Sequence, residues 1–504
     1  MTPENTTAEN TAAANAGTQR SAVVILAAGK GTRMRSDTPK VLHRIGGAPM
    51  LHHAMRTALS LAPARLAVVV GHDPANWAEA VGEAARALVP DVAICEQPEQ
   101  LGTGHAARMA APALEGFAGD VFVLFADTPF LALETLARMA AARDGGADIV
   151  ALGFEAETPG AYGRMVTGPG DSLERIVEAR DATPEELVIR TCNSGVIAAD
   201  CAMLLRLLAE VRNDNAKGEY YLTDIIGLAR AEGLTARVVR CDEAETLGIN
   251  DRVQLAEAEA TFQARARREA MLAGASMTAP ETVFLAWDTE IGRDVSIGPN
   301  VVIDPGVRIE DGARIEAFCH LENCRIGAGA GVGPFARLRG GAQVGRGCRI
   351  GNFVELKNAV FGDGAKASHL AYVGDASVGP KANIGAGTVT CNYDGFGKHR
   401  SEIGAGAFIG TNSSLIAPVS VGDNAYVGTG TVVTKDVPED AVAVARAPQA
   451  NHDGLAPRMR ERLRARSSKK KDRGAGTGTR EQLECAESSE SSGSLKPPPA
   501  SSMR

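Results

Sequence analysis

From Pro280 onward the apolar positions fall on a six-residue beat. Ile291, Ile297, Ile303, Ile309, Ile315 and Leu321 begin it, and Ile326, Val332, Leu338, Val344 and Ile350 resume it. Ile403, Ile409, Leu415, Val421, Val427 and Val433 carry it on. Gly, Asp or Glu often follows, and valines lie four places later at Val295, Val301 and Val307. Six residues are one short strand and one turn, and three such repeats close one triangular coil of a parallel β-helix. The aliphatic residue then points into a narrow core, and glycine or asparagine serves corners that want positive φ.

The amino-terminal half has a different pattern. Short apolar runs rich in β-branched residues, Ala22–Leu26, Ala67–Val70, Val121–Phe125 and Ile149–Leu152, alternate with helical spacing at His52–Leu61 and Leu133–Ala142. That alternation predicts an α/β Rossmann-like domain: a parallel sheet with helices on both faces and ligands at the carboxyl ends of its strands. Asp251 to about Met271 is rich in Ala, Glu and Arg and predicts one long helix, about 30 Å from end to end. The expected organisation is a disordered extension (1–20), the α/β domain (21–250), a helical linker (251–279), the repeat domain (280–450) and a disordered tail (451–504). The tail's basic stretch, Arg458 to Lys471, is a solvated run or a short helix.

Composition narrows the class. The net charge of −8 implies no bulk affinity for nucleic acid or membrane surfaces. No apolar run reaches membrane-spanning length, and residues 1–20 lack the basic start and apolar core of a secretory signal. The nine cysteines have no paired metal spacing, which suits buried thiols of a cytoplasmic protein.

Candidate chemistry begins at Leu26-Ala27-Ala28-Gly29-Lys30-Gly31-Thr32-Arg33-Met34, directly after the first strand, with Pro39-Lys40 beyond it. Its glycine spacing fits neither the dinucleotide fingerprint nor the Walker loop. It is either an ordinary turn or a backbone cradle for phosphates supplied with cations by Lys30, Arg33 and Lys40. Asp127, in Phe125-Ala126-Asp127-Thr128-Pro129, lies at a strand end, where a carboxylate suits Mg²⁺ or a helix cap. Gln97 to His105 sets glycines beside amides, suited to a base edge. Gly163, Glu178, Asn193 and Asn250 occur where turn or cap residues are also expected.

The order of these segments resembles the sugar-1-phosphate nucleotidyltransferases. Together with the hexapeptide repeats, it resembles the bacterial bifunctional N-acetylglucosamine-1-phosphate uridyltransferase and glucosamine-1-phosphate acetyltransferase family, over roughly Ser21 to Gln449. The resemblance implies that Leu26, Ala27, Ala28, Gly29, Gln97, Gly102 and Thr103 bind the uridine nucleotide, with Phe125 and Ala126 beside them. Lys40 would hold phosphate, and Arg33 would stabilise the triphosphate and departing pyrophosphate. Gly163, Glu178 and Asn193 would bind the amino sugar, and Asp127 and Asn250 would ligate Mg²⁺. Ala126 stands where the family usually has glycine, so a methyl could crowd the nucleotide or demand a slightly different backbone.

In the repeat domain the resemblance implies a left-handed β-helix and a homotrimer. His369 would be the general base for acetyl transfer from acetyl-CoA to glucosamine-1-phosphate. Arg339, Lys357, Tyr372 and Asn383 would bind the sugar phosphate. Asn392 and Tyr393 lie in the longest break of the repeat, Cys391–Arg400, and would line the junction with acetyl-CoA. Ala386 would offer its N–H to the oxyanion, and Thr411, Thr429 and Arg446 would touch acetyl-CoA. Thr411 replaces the family's serine and Thr429 its alanine. The product, made from UTP, would be UDP-N-acetylglucosamine, a precursor for cell-wall and outer-membrane glycans. A uridyltransferase on a purely structural solenoid, or a sugar-nucleotide scaffold without turnover, would lack a use for His369 and the ejected loop.

Overall fold

The computed structural model describes residues 21–72 and 76–475. The expected extension 1–20 and the tail beyond 475 lie outside the described residues. Among the described residues the main sheet of the α/β half holds nine strands: β1 (Ser21–Ala27), β2 (Arg65–Gly71), β3 (Ala93–Gln97), β4 (Asp120–Phe125), β5 (Ile149–Glu155), β6 (Arg164–Thr167), β7 (Leu173–Val177), β8 (Thr191–Asp200) and β9 (Ala236–Cys241). Their order is β9-β5-β8-β4-β1-β2-β3, with β6 pairing β8 and β7. The residues of β1 are buried on both faces, hence its unbroken apolar run. Val24 and Leu26 pack with Leu204 and Leu207 on one side, and Val23 and Ile25 with Leu51 and Met55 on the other.

The sheet is mixed where a parallel one was expected, because β8 runs antiparallel to both β4 and β5. A parallel return needs a long crossover, usually a helix. Between β7 and β8 the chain has only the one-turn helix Pro184–Leu187, so it re-enters the sheet head to tail.

The repeats form a parallel β-helix of two- and three-residue strands on three faces. One face runs as a ten-stranded ladder from Ser276–Met277 to Val442–Ala443. A coil takes 18 residues (Ser296 above Arg314) or 17 (Arg314 above Gly331). The sixfold aliphatics from Ile297 to Val433 fill one continuous core, joined by Val295, Val301 and Val307 two places before their neighbours. Ile291, near the start of the solenoid, is partly buried.

One corner departs from the glycine-and-asparagine expectation. Phe318, Phe335 and Phe353 hold φ of +62°, +56° and +54° on successive coils. Left-handed backbone costs a bulky residue about 1–2 kcal/mol. The rings stack 4.8 and 5.0 Å apart, and stacking of about 0.5–1.5 kcal/mol per pair offsets part of that cost.

The long helix appears at Arg252–Leu272, with Asp251 Oδ1 capping the N–H groups of Val253 and Gln254 at 2.9 Å. It closes the first coil. Gln263, almost fully buried, donates to Leu285 C=O at 2.7 Å and accepts from Leu285 N–H at 2.8 Å. Arg267 donates to the carbonyls of Glu281 and Val283, and Ala266 and Ala270 pack on the core. The α/β half grips the same place through the Gly46-Gly47 hairpin turn. Gly46 N–H donates to Glu259 and its C=O accepts from Trp287 N–H, both at 2.8 Å. A Cβ on Gly46 would lie 2.3 Å from the Phe262 ring, and its φ is +53°, so glycine is required twice over.

The described residues from 446 onward belong to a separate compact unit. The tail was expected to lack structure from 451, yet Leu455–Ala475 is a helix. Its arginines, alanines, Leu455, Met459 and Leu463 are strong helix formers, which outweighs the low-complexity composition.

Gln263→Ala removes both partners of the Leu285 peptide groups. We expect a loss of about 2–4 kcal/mol from unpaired buried polar atoms, seen as a lower midpoint in thermal unfolding followed by circular dichroism.

Candidate active sites

The glycine loop leaves β1 and lines a cavity of about 320 Å³ with Leu26, Ala27, Ala28 and Gly29 on one side. Lys40, Gln97, Gly102, Thr103, Phe125 and Asp127 complete most of the wall. These segments converge because β1 lies between β2 and β4, so the loops after all three strands open at one edge. Buried Gln97 donates to Gly102 C=O at 3.1 Å and lies 3.0 Å from His105 Nδ1. Gln100 donates to Ala28 C=O at 2.7 Å and ties the two glycine segments together.

Lys40 is buried, and its ammonium lies 2.5 Å from Asp127 Oδ2 and 3.0 Å from Asn250 Oδ1. Asp127 and Asn250 are far apart in sequence but meet because Ile249 N–H donates to Asp127 C=O at 3.1 Å. Two hard oxygen donors thus converge on one cationic centre, a donor set that fits Mg²⁺. Among the described residues no cluster of three or more His, Cys, Asp or Glu offers a full metal shell. Phosphate and water would have to complete it.

Two expected residues stand elsewhere. The Ala126 methyl is fully buried in the core with Leu124 and Val196, so strand alternation turns it away from the cavity that Phe125 and Asp127 line. The crowding expected from it does not arise on that wall. Arg33 is exposed on the turn Thr32–Met34 and is not among the lining residues.

The expected sugar residues cluster. Asn193 N–H donates to Gly163 C=O at 2.9 Å, and a Cβ on Gly163 would lie 3.5 Å from Glu178 Oε1. A register shift in β8 just after Asn193 re-aims this stretch, and Asn193 Oδ1 accepts from Gly195 N–H at 3.0 Å. Burial, reinforced by Asp181 and Asp224, raises the Glu178 carboxyl above its ordinary value. Glu178 lines an open cavity of about 1050 Å³ with Tyr221, Thr223 and Asp224. The segment Glu219–Thr223 joins the two cavities and was missed from sequence. Glu219 lines the smaller one, and Tyr220 holds Leu101 and Gly104 by backbone bonds of 2.8 Å. The available signal was Tyr220-Tyr221, a pair from only six tyrosines in the chain.

In the solenoid the register lines up the expected residues. Asn352 lies beside His369 in the ladder, and the pairs Lys366 with Asn383, Asn383 with Phe408 and Phe408 with Tyr426 extend the register. Asn352, His369, Ala386, Thr411 and Thr429 therefore form one column on one corner. Successive members are about 4.8 Å apart, so His369 to Thr429 spans about 14 Å. The C=O of Ala386 accepts from Asn412 N–H, and that of Thr411 from Gly430 N–H. The N–H groups of Ala386 and Thr411 have no acceptor among the described residues. Buried Ser413 donates to Gly410 C=O at 2.7 Å and fixes the peptide that carries the Thr411 N–H. The imidazole of His369 is exposed, with Nδ1 at 2.6 Å from Asn352 Oδ1.

Arg339, Lys357 and Tyr372 lie on the neighbouring face beside the ejected loop, and Asn383 lies on the face of His369. Asp375 accepts from Asn358 at 2.6 Å and from Asn392 at 2.5 Å. In the loop, Asp394 accepts from the N–H groups of Phe396 and Gly397 and lies 2.6 Å from His399, which holds its carboxyl well below the usual range. Tyr393 pairs with Lys398 across the loop. The neighbouring Lys398 ammonium lowers the Lys357 pKa, and Arg339 adds to the effect. Three cationic groups thus concentrate positive charge beside the loop, and Lys398 is the member that sequence reading missed. Arg446 belongs to the second compact unit.

Comparison with known proteins agrees with both halves. Residues 23–190 match the MobA-like NTP transferase domain, and residues 288–323, 323–358 and 400–435 match the bacterial transferase hexapeptide repeats. The chain is 58% identical over 443 residues to the bifunctional protein GlmU of Cereibacter sphaeroides, covering 88% of this chain and 96% of the relative. The GlmU protein of Dinoroseobacter shibae is 57% identical over 444 residues, covering 88% of this chain and 98% of the relative. The chain belongs to the bifunctional GlmU family. It is a two-activity transferase of the kind the resemblance implied, a uridyltransferase and an acetyltransferase that together make UDP-N-acetylglucosamine, and its solenoid is the left-handed β-helix of hexapeptide repeats.

Gly102 holds φ of +110°, and a Cβ there would lie 2.6 Å from Tyr220 C=O. Gly102→Ala should therefore weaken UTP binding about tenfold to a hundredfold, equivalent to about 1–3 kcal/mol of strain, by titration calorimetry. Acetyl transfer should be unchanged.

Proposed function

We propose that the corner column of the solenoid is the acetyl-transfer site and the cavity after β1 the uridylyl-transfer site. The observation that carries this reading is the alignment of His369, Ala386, Thr411 and Thr429, one coil apart on one corner. Such a column suits an extended thioester arm laid along the solenoid. His369 Nε2 takes a proton from the amine of glucosamine-1-phosphate as the nitrogen attacks the thioester carbonyl. The Ala386 N–H supports the oxyanion, and the thiolate of coenzyme A leaves. Arg339, Lys357 and Lys398 hold the sugar phosphate. Tyr372, Asn383, Asn392 and Tyr393 frame the sugar, and Thr411 and Thr429 hold acetyl-CoA.

In the amino-terminal site a phosphate oxygen of N-acetylglucosamine-1-phosphate attacks the α-phosphorus of UTP, and pyrophosphate leaves. The difficulty is bringing two anions together, so fixed positive charge does much of the work. Lys40 supplies it from the cavity wall, and Arg33 adds charge from the exposed turn outside that wall. The Leu26–Gly29 backbone, Gln97, Gly102 and Thr103 hold the nucleotide, and Gly163, Glu178 and Asn193 orient the sugar. Mg²⁺, held by Asp127 and Asn250, would neutralise the α-phosphate when bound.

A homotrimer in the cytoplasm completes the reading. The eight described cysteines are all unpaired, which supports a reducing compartment, and no described helix is long and apolar enough to cross a membrane.

The test is a product assay in which glucosamine-1-phosphate, acetyl-CoA, UTP and Mg²⁺ are omitted in turn. UDP-N-acetylglucosamine should form only in the full mixture. His369→Ala should lower acetyl transfer by about 10²–10⁴-fold and leave uridylyl transfer from added N-acetylglucosamine-1-phosphate intact. Asp127→Ala should do the reverse. Two variants equal to the parent in both half-reactions would overturn these assignments.

A further inference from the structure

His369 shares its column with Asn352 as well as with the expected acetyl-CoA positions. Asn352 lies one coil before it, in register, on the side away from Ala386. The Asn352 main chain holds the same segment, since its C=O accepts from Leu370 N–H at 3.0 Å. The side-chain oxygen of Asn352 lies 2.6 Å from His369 Nδ1. A carboxamide oxygen only accepts, so this contact places the ring hydrogen on Nδ1 and leaves the lone pair on Nε2.

We propose that Asn352 is a positioning residue that locks His369 in the Nδ1–H tautomer, with Nε2 bare and turned toward the reacting amine. The proposal rests on the reading of His369 as the general base. An exposed imidazole can otherwise rotate, and in its other tautomer Nε2 carries the hydrogen and cannot accept one. Asn352 removes both freedoms with one contact, and it is neutral. A carboxylate in its place would also stabilise the imidazolium by charge, as in hydrolytic triads. The amide fixes orientation without that charge. The register explains why the contact is rigid: the two residues are adjacent rungs of one backbone ladder, and Leu370 N–H fastens the second rung to the first.

The experiment combines nitrogen-15 spectra of histidine-labelled protein with kinetics on the full-length chain. The His369 signals are identified by their loss in His369→Ala. In the parent they should show a protonated Nδ1 and a bare Nε2. Asn352→Leu should shift the balance to protonated Nε2 and lower kcat for acetyl transfer at least tenfold, with KM for acetyl-CoA within about twofold. Asn352→Asp, which keeps an oxygen acceptor, should recover most of kcat. Unchanged uridylyl transfer in each variant reports an intact fold; should Asn352→Leu fail to fold, the parent spectrum and Asn352→Asp decide. A parent spectrum with protonated Nε2, or an Asn352→Leu protein with unaltered kcat, would overturn the proposal. If His369→Ala instead retained acetyl transfer, the general-base reading would fall, whatever tautomer the spectrum showed.

Discussion

The backbone ladder between successive coils is the constraint from which the carboxyl-terminal half follows. Most of its turns take 17 or 18 residues, and a ladder residue sits directly above its counterpart on the coil before. The aliphatic core, the phenylalanine stack and the His369 column are three readings of this one rule. Where the chain needs more length it must leave and return on the same rung. The step from Val389 to Ser414 is 25 residues, against 18 from Ser414 to Val432, and the surplus is the loop that carries Lys398 toward Lys357. The solenoid can thus be irregular in composition at its working surface without losing alignment.

The amino-terminal half reaches precision by another route. Its chemical groups come from loops after separate strands, and single bonds hold them together. Ile249 N–H on Asp127 C=O joins the end of β4 to the start of the long helix, and Lys40 spans the two oxygens so aligned. Because Asp251 caps that helix, the helix's first turn and the placement of Asn250 are one structural event. The helix then runs to the first coil, so one element fixes the place of Asn250 at its start and the solenoid near its end.

Much of this was legible in the chain. The sixfold beat needed only the spacing of isoleucine and valine, and the strand-then-glycine arrangement at Ala22–Gly29 was equally plain. The antiparallel β8 was not, since strand direction depends on the length of a connection whose helix content was not visible. That the Ala126 methyl turns into the core was not visible either, because spacing from a motif does not say which face of a strand a side chain takes. Lys398, Glu219 and Asn352 went unseen for a common reason. Each gains its meaning from a residue on another coil or loop, and no local pattern marks it. The phenylalanine corner was hidden because the rule for left-handed positions favours glycine and asparagine, and only the stack shows how bulky rings come to occupy them.

The junction at Gln263 has a consequence for how the molecule behaves among its own copies. A β-helix ends in a row of bare peptide groups, and such an edge is a template on which another chain can add strands. Here the helix side chains occupy that row at Glu281, Val283 and Leu285, with both groups of Leu285 taken by one amide. The element that separates the two catalytic halves is therefore also the stopper that keeps the solenoid from growing into a fibre.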